Sequence, residues 1–453
     1  MSTSTPQTSP DPGGLESTET PELHPDRAQA RLLLQLTGLG ILIGIPAALV
    51  AWGFLELVHV TEHWLWHDLP ASLGEDQPPW YLLVGLPVVG AVIVIIARAF
   101  LPGDGGHHPL DGFGGPPTPA RNALGVALAA FGGLAFGAVL GPEAPLIALG
   151  SAVGMAVTPL VKLPKEGQVV LANAGSFSAV SALFGGPLVA GILLLEAGLA
   201  AGAKLLPALL PGVAAAATGY VMFVGLGDWG GLTAAPLEVT GLPEYSGTRV
   251  LDLLLAVVVG VVTAVIIVAV RRLAHRIQDS AETGTRPRMW LILLLGGLAV
   301  GLLAWAAQAM GANSQDVLFS GQASMPDLVG ETSTSILLIL IVAKGLGYAV
   351  SLGSGFRGGP VFPAAFLGVA VAMVLALAFD SSPTWALAVG AAAGMSAGTG
   401  LVFAPLLFGV LLTGTAGLDA TPAAVFGVLA AWLAAAALKS RAARSGGTPA
   451  AHA

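Results

Sequence analysis

Apolar runs of about 20 residues, the length a helix needs to cross a bilayer, recur from near position 30 to near position 438. In hydrocarbon every backbone N–H and C=O must be paired within the protein, so only helices and closed barrels span a membrane. The runs here are continuous rather than alternating, which selects helices. Only 10% of the residues are charged, against roughly a quarter in soluble domains, and 55% are hydrophobic. The 62 glycines and 32 prolines exceed what plain spanning helices use and suit broken or re-entrant helices around a protected cavity. The fold class expected is an all-α polytopic membrane protein.

Several function classes drop out. The chain has no cysteine, which removes disulfides and thiolate metal sites. The net charge is −8 and no basic cluster accompanies it, so nucleic acid is not a partner. There is no H-E-x-x-H and no serine–histidine pair that spacing would unite. Asp104 and Asp111 sit in a Gly- and Pro-rich loop rather than on helices, which disfavours an intramembrane aspartyl protease. An enzyme is not expected, and no cofactor.

Lysine and arginine are distributed unevenly, and that asymmetry sets topology. Arg27 and Arg31 precede the first run, and Arg98 follows the second. Arg271, Arg272, Arg276, Arg286 and Arg288 fill one loop, and Lys439, Arg441 and Arg444 close the chain. These are assigned to the cytoplasm, with both termini, in a plasma (inner) membrane. Segments 65–79, 227–248 and 312–331 carry Asp and Glu but no Lys or Arg and are assigned outside. The organisation expected is a disordered polar tail over 1–27, a first membrane half over 28–226, an external loop over 227–248, a second half over 249–439 and a second tail over 440–453. Function is expected to lie within the membrane part.

The two halves repeat. "GPEAPLIALG" begins at Gly141 and "GPVFPAAFLG" at Gly359, an offset of 359 − 141 = 218, and five of the ten positions agree. At the same offset "PLVAGILL" from Pro187 matches "PLLFGVLL" from Pro405. With the topology above the copies run oppositely through the membrane, an arrangement that places solute sites where broken helices meet near the midplane. A Gly-Pro at a break starts a helix, whose first N–H groups are unpaired and carry the positive end of the helix dipole. Two such starts make an anion site. Glu143 lies in the first turn of one of them, where its carboxylate serves as a tethered anion and gate. An ionisable residue within a membrane segment is a functional candidate by default.

At these residues the chain resembles the CLC chloride channel and transporter family, over roughly 30–438. "GPEAP" resembles G-[KR]-E-G-P, which makes Glu143 the gating glutamate. "FGGPLVAGILLLE" (184–196), "GSGFRGGPVFP" (353–363) and "AGMSAGTGLVFAPLLFGVLL" (393–412) are similar to three further family segments, and "PGDGGHHPLDG" (102–112) stands where the family has G-S-G-I-P. The resemblance implies an inverted-repeat fold, a homodimer with one pore per subunit, and anion contacts at Asp104, Gly105, Gly141, Pro142, Gly359, Val361 and Phe362. Departures accompany it. The family's anion-facing serine is Asp104, the residue after Gly-Gly is Pro360, no tyrosine follows Tyr348, and the inner proton-relay glutamate of coupled members is Ala197. Glu196, one residue earlier, is the remaining proton-path candidate.

Other polar residues admit two readings. Lys344 and Arg357 either attract anions or pair with acids. His59, His63 and His67 recur every fourth residue, on one helix face, as an interfacial stripe, a pH sensor or a weak metal candidate. His107 and His108 are candidates to titrate near the inner entrance. The function expected is transport of a small inorganic anion, chloride-type, through a glutamate-gated pore, channel-like or loosely coupled. The alternatives are a proton-coupled anion exchanger, a carrier of another solute, and a membrane scaffold that transports nothing.

Overall fold

The computed structural model describes residues 27–112, 115–161, 163–181, 183–200, 206–232, 237–282 and 285–445; the expected tail over 1–26 and residues 446–453 lie outside them. Among these described residues fourteen helices of ten residues or more are designated α1 to α14. The first half contains α1 (Arg27–His63), α2 (Trp80–Phe100), α3 (Ala123–Leu134), α4 (Glu143–Val161), α5 (Lys165–Ser181), α6 (Pro187–Ala200) and α7 (Leu206–Val224). The second contains α8 (Val250–Glu282), α9 (Arg286–Ala309), α10 (Thr334–Ser354), α11 (Val361–Phe379), α12 (Pro383–Thr399), α13 (Phe403–Thr413) and α14 (Thr421–Ser445). The last helix thus runs through 440–445, part of the stretch assigned to the second tail. Eight helical segments among the described residues are long and apolar enough to cross a membrane.

The repeat extends beyond the matching letters. Helices α4 and α11 are both 19 residues long, α5 and α12 are both 17, and each pair starts at the 218-residue offset. The breaks before them also correspond. Gly137 and Gly355, again 218 apart, have φ of 95° and 108°, left-handed values that a side chain resists. Each turns the chain out of the preceding helix into a short extended stretch, and Pro142 and Pro360 then lead into the next helix. Within each repeat two glycines let helices touch backbone to backbone. A Cβ at Gly150 would strike the Gly175 carbonyl, and one at Gly368 would strike the Gly390 carbonyl. Small residues at such crossings are how helices pack where lipid removes the hydrophobic driving force.

The two extended stretches meet. Gly141 N–H donates to the Gly359 carbonyl at 2.8 Å and Gly359 N–H donates to Gly141 at 2.6 Å, an antiparallel bridge between equivalent residues of the two halves. This reciprocal pair lies on the approximate two-fold of the inverted repeat and brings the N-termini of α4 and α11 to one buried point.

Candidate functional site

Glu143 occupies that point. Its side chain is wholly buried. Its Oε1 accepts from the Val361 N–H, the first donor of α11 after Pro360, which has none to give. The backbone N–H of Phe362 also contributes to holding the carboxyl, and Oε2 has no donor among the described residues. Gly141 and Gly359 cradle the group, because a Cβ on either would overlap the carboxyl. The glutamate from one repeat therefore sits on the helix N-terminus of the other, where an anion is favoured.

Of the expected anion contacts, Gly141, Pro142, Gly359, Val361 and Phe362 converge here. Phe362 is buried in a cluster that joins three of the sequence segments: its ring stacks on Phe184 at 5.9 Å and meets Phe408 edge-on at 5.6 Å. Tyr348, also buried, donates its hydroxyl to the Pro360 carbonyl at 2.8 Å. Nothing in the spacing of these residues revealed that cluster or that tyrosine contact.

Asp104 and Gly105 are placed differently. Asp104 has φ of 49° and is held by two arginines. Arg98 grips its carboxylate with two bonds of 2.9 Å, and Arg357 Nη2 donates to Oδ2 at 3.0 Å and to the Asp104 backbone carbonyl at 2.9 Å. Gly105 packs on the stems of the same arginines. The carboxylate that stands for a serine is thus neutralised, and Arg357, 5% exposed, retains a buried Nη1 with no partner among the described residues. His108 lies beside this cluster. Burial, then Arg357 and Arg98, push its imidazole down to about 3, so it remains neutral at physiological pH, with Nδ1 accepting from Leu110 N–H. The expectation that it titrates at the entrance is corrected accordingly.

Glu196, the proton-path candidate, lies against the start of α13. Its two carboxylate oxygens accept from the N–H groups of Val402, Phe403 and Ala404 at 3.1, 2.9 and 2.7 Å. It caps α13, from the other half of the chain. Glu196→Gln is expected to weaken these charge-assisted bonds by about 1–2 kcal/mol, read as a lower melting temperature, with the anion-to-proton behaviour of transport unchanged. A change in that behaviour at unchanged stability would restore the proton-path role.

Lys344 is tied to backbone carbonyls. Fully buried, its ammonium donates to the carbonyls of Asp316, Leu318 and Phe319 at 2.8, 3.0 and 3.3 Å, with Val317 at 3.5 Å, and lies 4.4 Å from the Phe366 ring centre. The histidine stripe divides. His59 lines a cavity described next, whereas His63 and His67 stack on each other at 5.1 Å, and His63 Nδ1 is 3.3 Å from Asp68. Among the described residues no three His, Asp or Glu side chains form a group that could hold a metal ion.

A cavity of about 700 Å³ leads to Leu140 and Pro142 on one side of the Glu143 site. Glu56, His59, Glu62 and Glu238 are its titratable lining groups, and residues 315 and 319–324 form part of its wall. On the opposite side lie Arg98, Arg357 and the loop over 102–112, to which Arg271 is tied through the Leu110 carbonyl at 3.2 Å. Arg272 in turn reaches the Leu438 carbonyl at 2.8 Å. The structure thus gathers the Lys/Arg-rich segments at one end and the acidic segments at the other.

Comparison with known proteins agrees with this architecture. The profile of the voltage gated chloride channel family matches residues 107–435. YfeO proteins of Escherichia coli O17:K52:H18 and of Escherichia fergusonii are 30% identical over 372 residues, covering 78% of this chain and 81% of theirs. Among solved structures, a slow cyanobacterial Cl−/H+ antiporter superposes with a TM-score of 0.70 at 19% identity, covering 92% of this chain and 95% of its own. A CLC-type fluoride/proton antiporter gives 0.68 at 20% identity, over 90% and 96%. The two opposed repeats, the facing helix starts and the matching profile have one explanation: this chain belongs to the CLC family of voltage-gated chloride channels and transporters.

Proposed function

We propose that the chain carries small inorganic anions across the membrane along a path between the starts of α4 and α11, and that the Glu143 carboxylate closes it. The observation that carries this is the seat of that carboxylate: buried, cradled by two glycines and bonded to the first N–H of the facing helix. A permeant anion needs the same donor. It binds there when Glu143 is protonated or swings away, because two negative charges at one buried point repel strongly.

The two approaches differ in sign. The carboxylate-lined cavity, with Glu56, Glu62 and Glu238 in its wall, repels anions and attracts cations. The other end presents Arg98 and Arg357 against Asp104, two guanidinium groups against one carboxylate, a net positive charge that attracts an arriving anion. With the Lys/Arg asymmetry, the acidic cavity faces outward and both termini lie in the cytoplasm of a cell with this protein in its plasma membrane. External acid is then the opening signal. An impermeant thiol reagent tests the orientation: Ser280→Cys, exposed at the end of α8, is expected to resist labelling in sealed right-side-out cells, and its labelling would reverse the topology.

The transport is proposed to be channel-like or loosely coupled. Glu196 is engaged in capping α13, and Ala197 carries no proton. A coupled exchanger is the second reading, favoured by the acidic cavity and by the antiporters among the similar structures. A homodimer is proposed from family membership, and the mass of the purified protein in detergent tests it. Efflux of chloride or fluoride from proteoliposomes is the direct assay of function. Release above protein-free vesicles is expected for at least one of the two anions, and release of neither would remove the anion reading.

A further inference from the structure

Two neighbouring helices leave apolar faces uncovered. On α8 the exposed residues Val258, Val262, Val265, Ala269, Arg272 and Arg276 follow one another at steps of three or four, so they form one stripe. The stripe is apolar until its last two members, which are cations. Helix α14 packs along α8, close enough that a Cβ at Gly260 would strike the Gly427 carbonyl. Its exposed Phe426, Leu429 and Leu433 make a second apolar stripe, and exposed Lys439 lies beyond them toward the helix end. No described part of the chain covers either stripe.

The cations at this end are bonded to neutral groups. Arg272 Nη2 donates to the Leu438 carbonyl at 2.8 Å, which joins the two helix ends and brings the guanidinium beside Lys439. Arg271 donates to the carbonyls of Gly398 and Leu110, both at 3.2 Å, and lies within electrostatic reach of Lys439. Among the described residues no carboxylate pairs with Arg271, Arg272 or Lys439. Carbonyl oxygens orient a guanidinium but cancel none of its charge. The acids on this part of α8, Asp279 and Glu282, lie about two turns or more beyond Arg272. Trp432, exposed on α14 and about two turns before Lys439, donates its Nε1 to the Gly400 carbonyl at 3.0 Å. An exposed indole tied in this way marks the level where hydrocarbon gives way to headgroups.

We propose that the joined ends of α8 and α14 bind the headgroup of an anionic phospholipid, whose acyl chains lie along the two apolar stripes. The lengths agree. One leaflet is about 15 Å of hydrocarbon, about ten residues of helix, which is the run from Val262 to Arg272. The phosphate meets Arg272 and Lys439, and Arg276 stands one turn further along the stripe. Basic pockets between membrane helices recognise lipid phosphates in this way. Charge complementarity selects the lipid class: a zwitterionic headgroup brings its own cation toward the arginines, whereas phosphatidylglycerol brings negative charge alone. A free phosphate would use the same cations but leave both apolar stripes without a partner. Arg271, next to Arg272 in the chain, holds the Leu110 carbonyl. The headgroup therefore sits beside the tie that fixes the loop over 102–112, which carries Asp104.

Binding is measured independently of transport. The purified full-length protein in neutral detergent is titrated with dioleoylphosphatidylglycerol or dioleoylphosphatidylcholine, and native mass spectrometry counts the lipids each subunit retains. Wild type is expected to prefer phosphatidylglycerol by about tenfold or more. Arg272→Gln/Lys439→Gln changes two exposed residues and is expected to lower that affinity about fivefold for each cation removed. Arg286→Gln/Arg288→Gln removes two exposed cations from the start of α9 and is expected to leave the preference intact. If the first double variant does not fold, Arg276→Gln/Lys439→Gln decides. Equal retention of the two lipids, or an equal loss in the α9 variant, overturns the proposal. Displacement of phosphatidylglycerol by inorganic phosphate at constant ionic strength would assign the cations to a free anion. A dimer that excludes the lipid its monomer retains would assign the faces to a second copy of the chain. Either result overturns the proposal as well.

Discussion

Glu143→Gln is expected to free anion flux from most of its dependence on external pH and to raise it at neutral pH by about tenfold or more. Removing the charge takes away the competitor for the Val361 N–H while leaving a side chain of similar size between Gly141 and Gly359. Displacement of the ionised carboxylate by as little as about 1.4 kcal/mol corresponds to a tenfold change in occupancy. The sign follows from charge: under the proposed gate, acid neutralises Glu143 in the wild type and opens the path, whereas glutamine is neutral at every pH. Flux across proteoliposomes at a series of external pH values makes the measurement. A wild-type pH response in Glu143→Gln places the gate elsewhere.

Lys344→Met is expected to be the most destabilising single change among the residues described, by about 3–5 kcal/mol, the scale for breaking a buried charged network. The ammonium is the donor that satisfies carbonyls in the segment from Asp316 to Phe319. Methionine fills the volume but leaves those carbonyls buried without it, and each such group costs about 1–3 kcal/mol. Arginine does not substitute well, because a planar fork cannot point three donors into a ring of carbonyls. Thermal unfolding of the purified protein in detergent reads the effect. A melting temperature within about half a degree of wild type, a shift below roughly 0.5 kcal/mol for a chain of this size, would show that water replaces the ammonium at little cost.

The parts of this molecule legible in the sequence were those encoded locally. Gly-Pro at a helix start, an acid in its first turn and a repeated segment at a fixed offset are all visible within ten or so letters. They led to the inverted repeat and to Glu143. What was hidden depends on partners far apart in the chain. Asp104 read as an isolated carboxylate on an anion path, because Arg357, which neutralises it together with Arg98, is 253 positions away. Glu196 read as a free acid near a missing relay, because the helix it caps begins 207 positions later at Phe403. Lys344 and His108 were ambiguous for the same reason: the sequence shows a titratable group but not the carbonyls or cations around it. The stripe His59, His63 and His67 had the right helical spacing for a common face, yet one lines a cavity while the others stack together. Spacing places side chains on a face, and only tertiary packing decides what that face meets.

The proposed transport route is an anion path gated at Glu143 with no proton relay behind it. Its most direct test is anion uptake by wild-type proteoliposomes under an imposed pH gradient, with voltage clamped at zero and equal anion on both sides. On this account acid outside accelerates exchange of labelled anion but drives no net accumulation. Uphill accumulation in a fixed anion-to-proton ratio would contradict it.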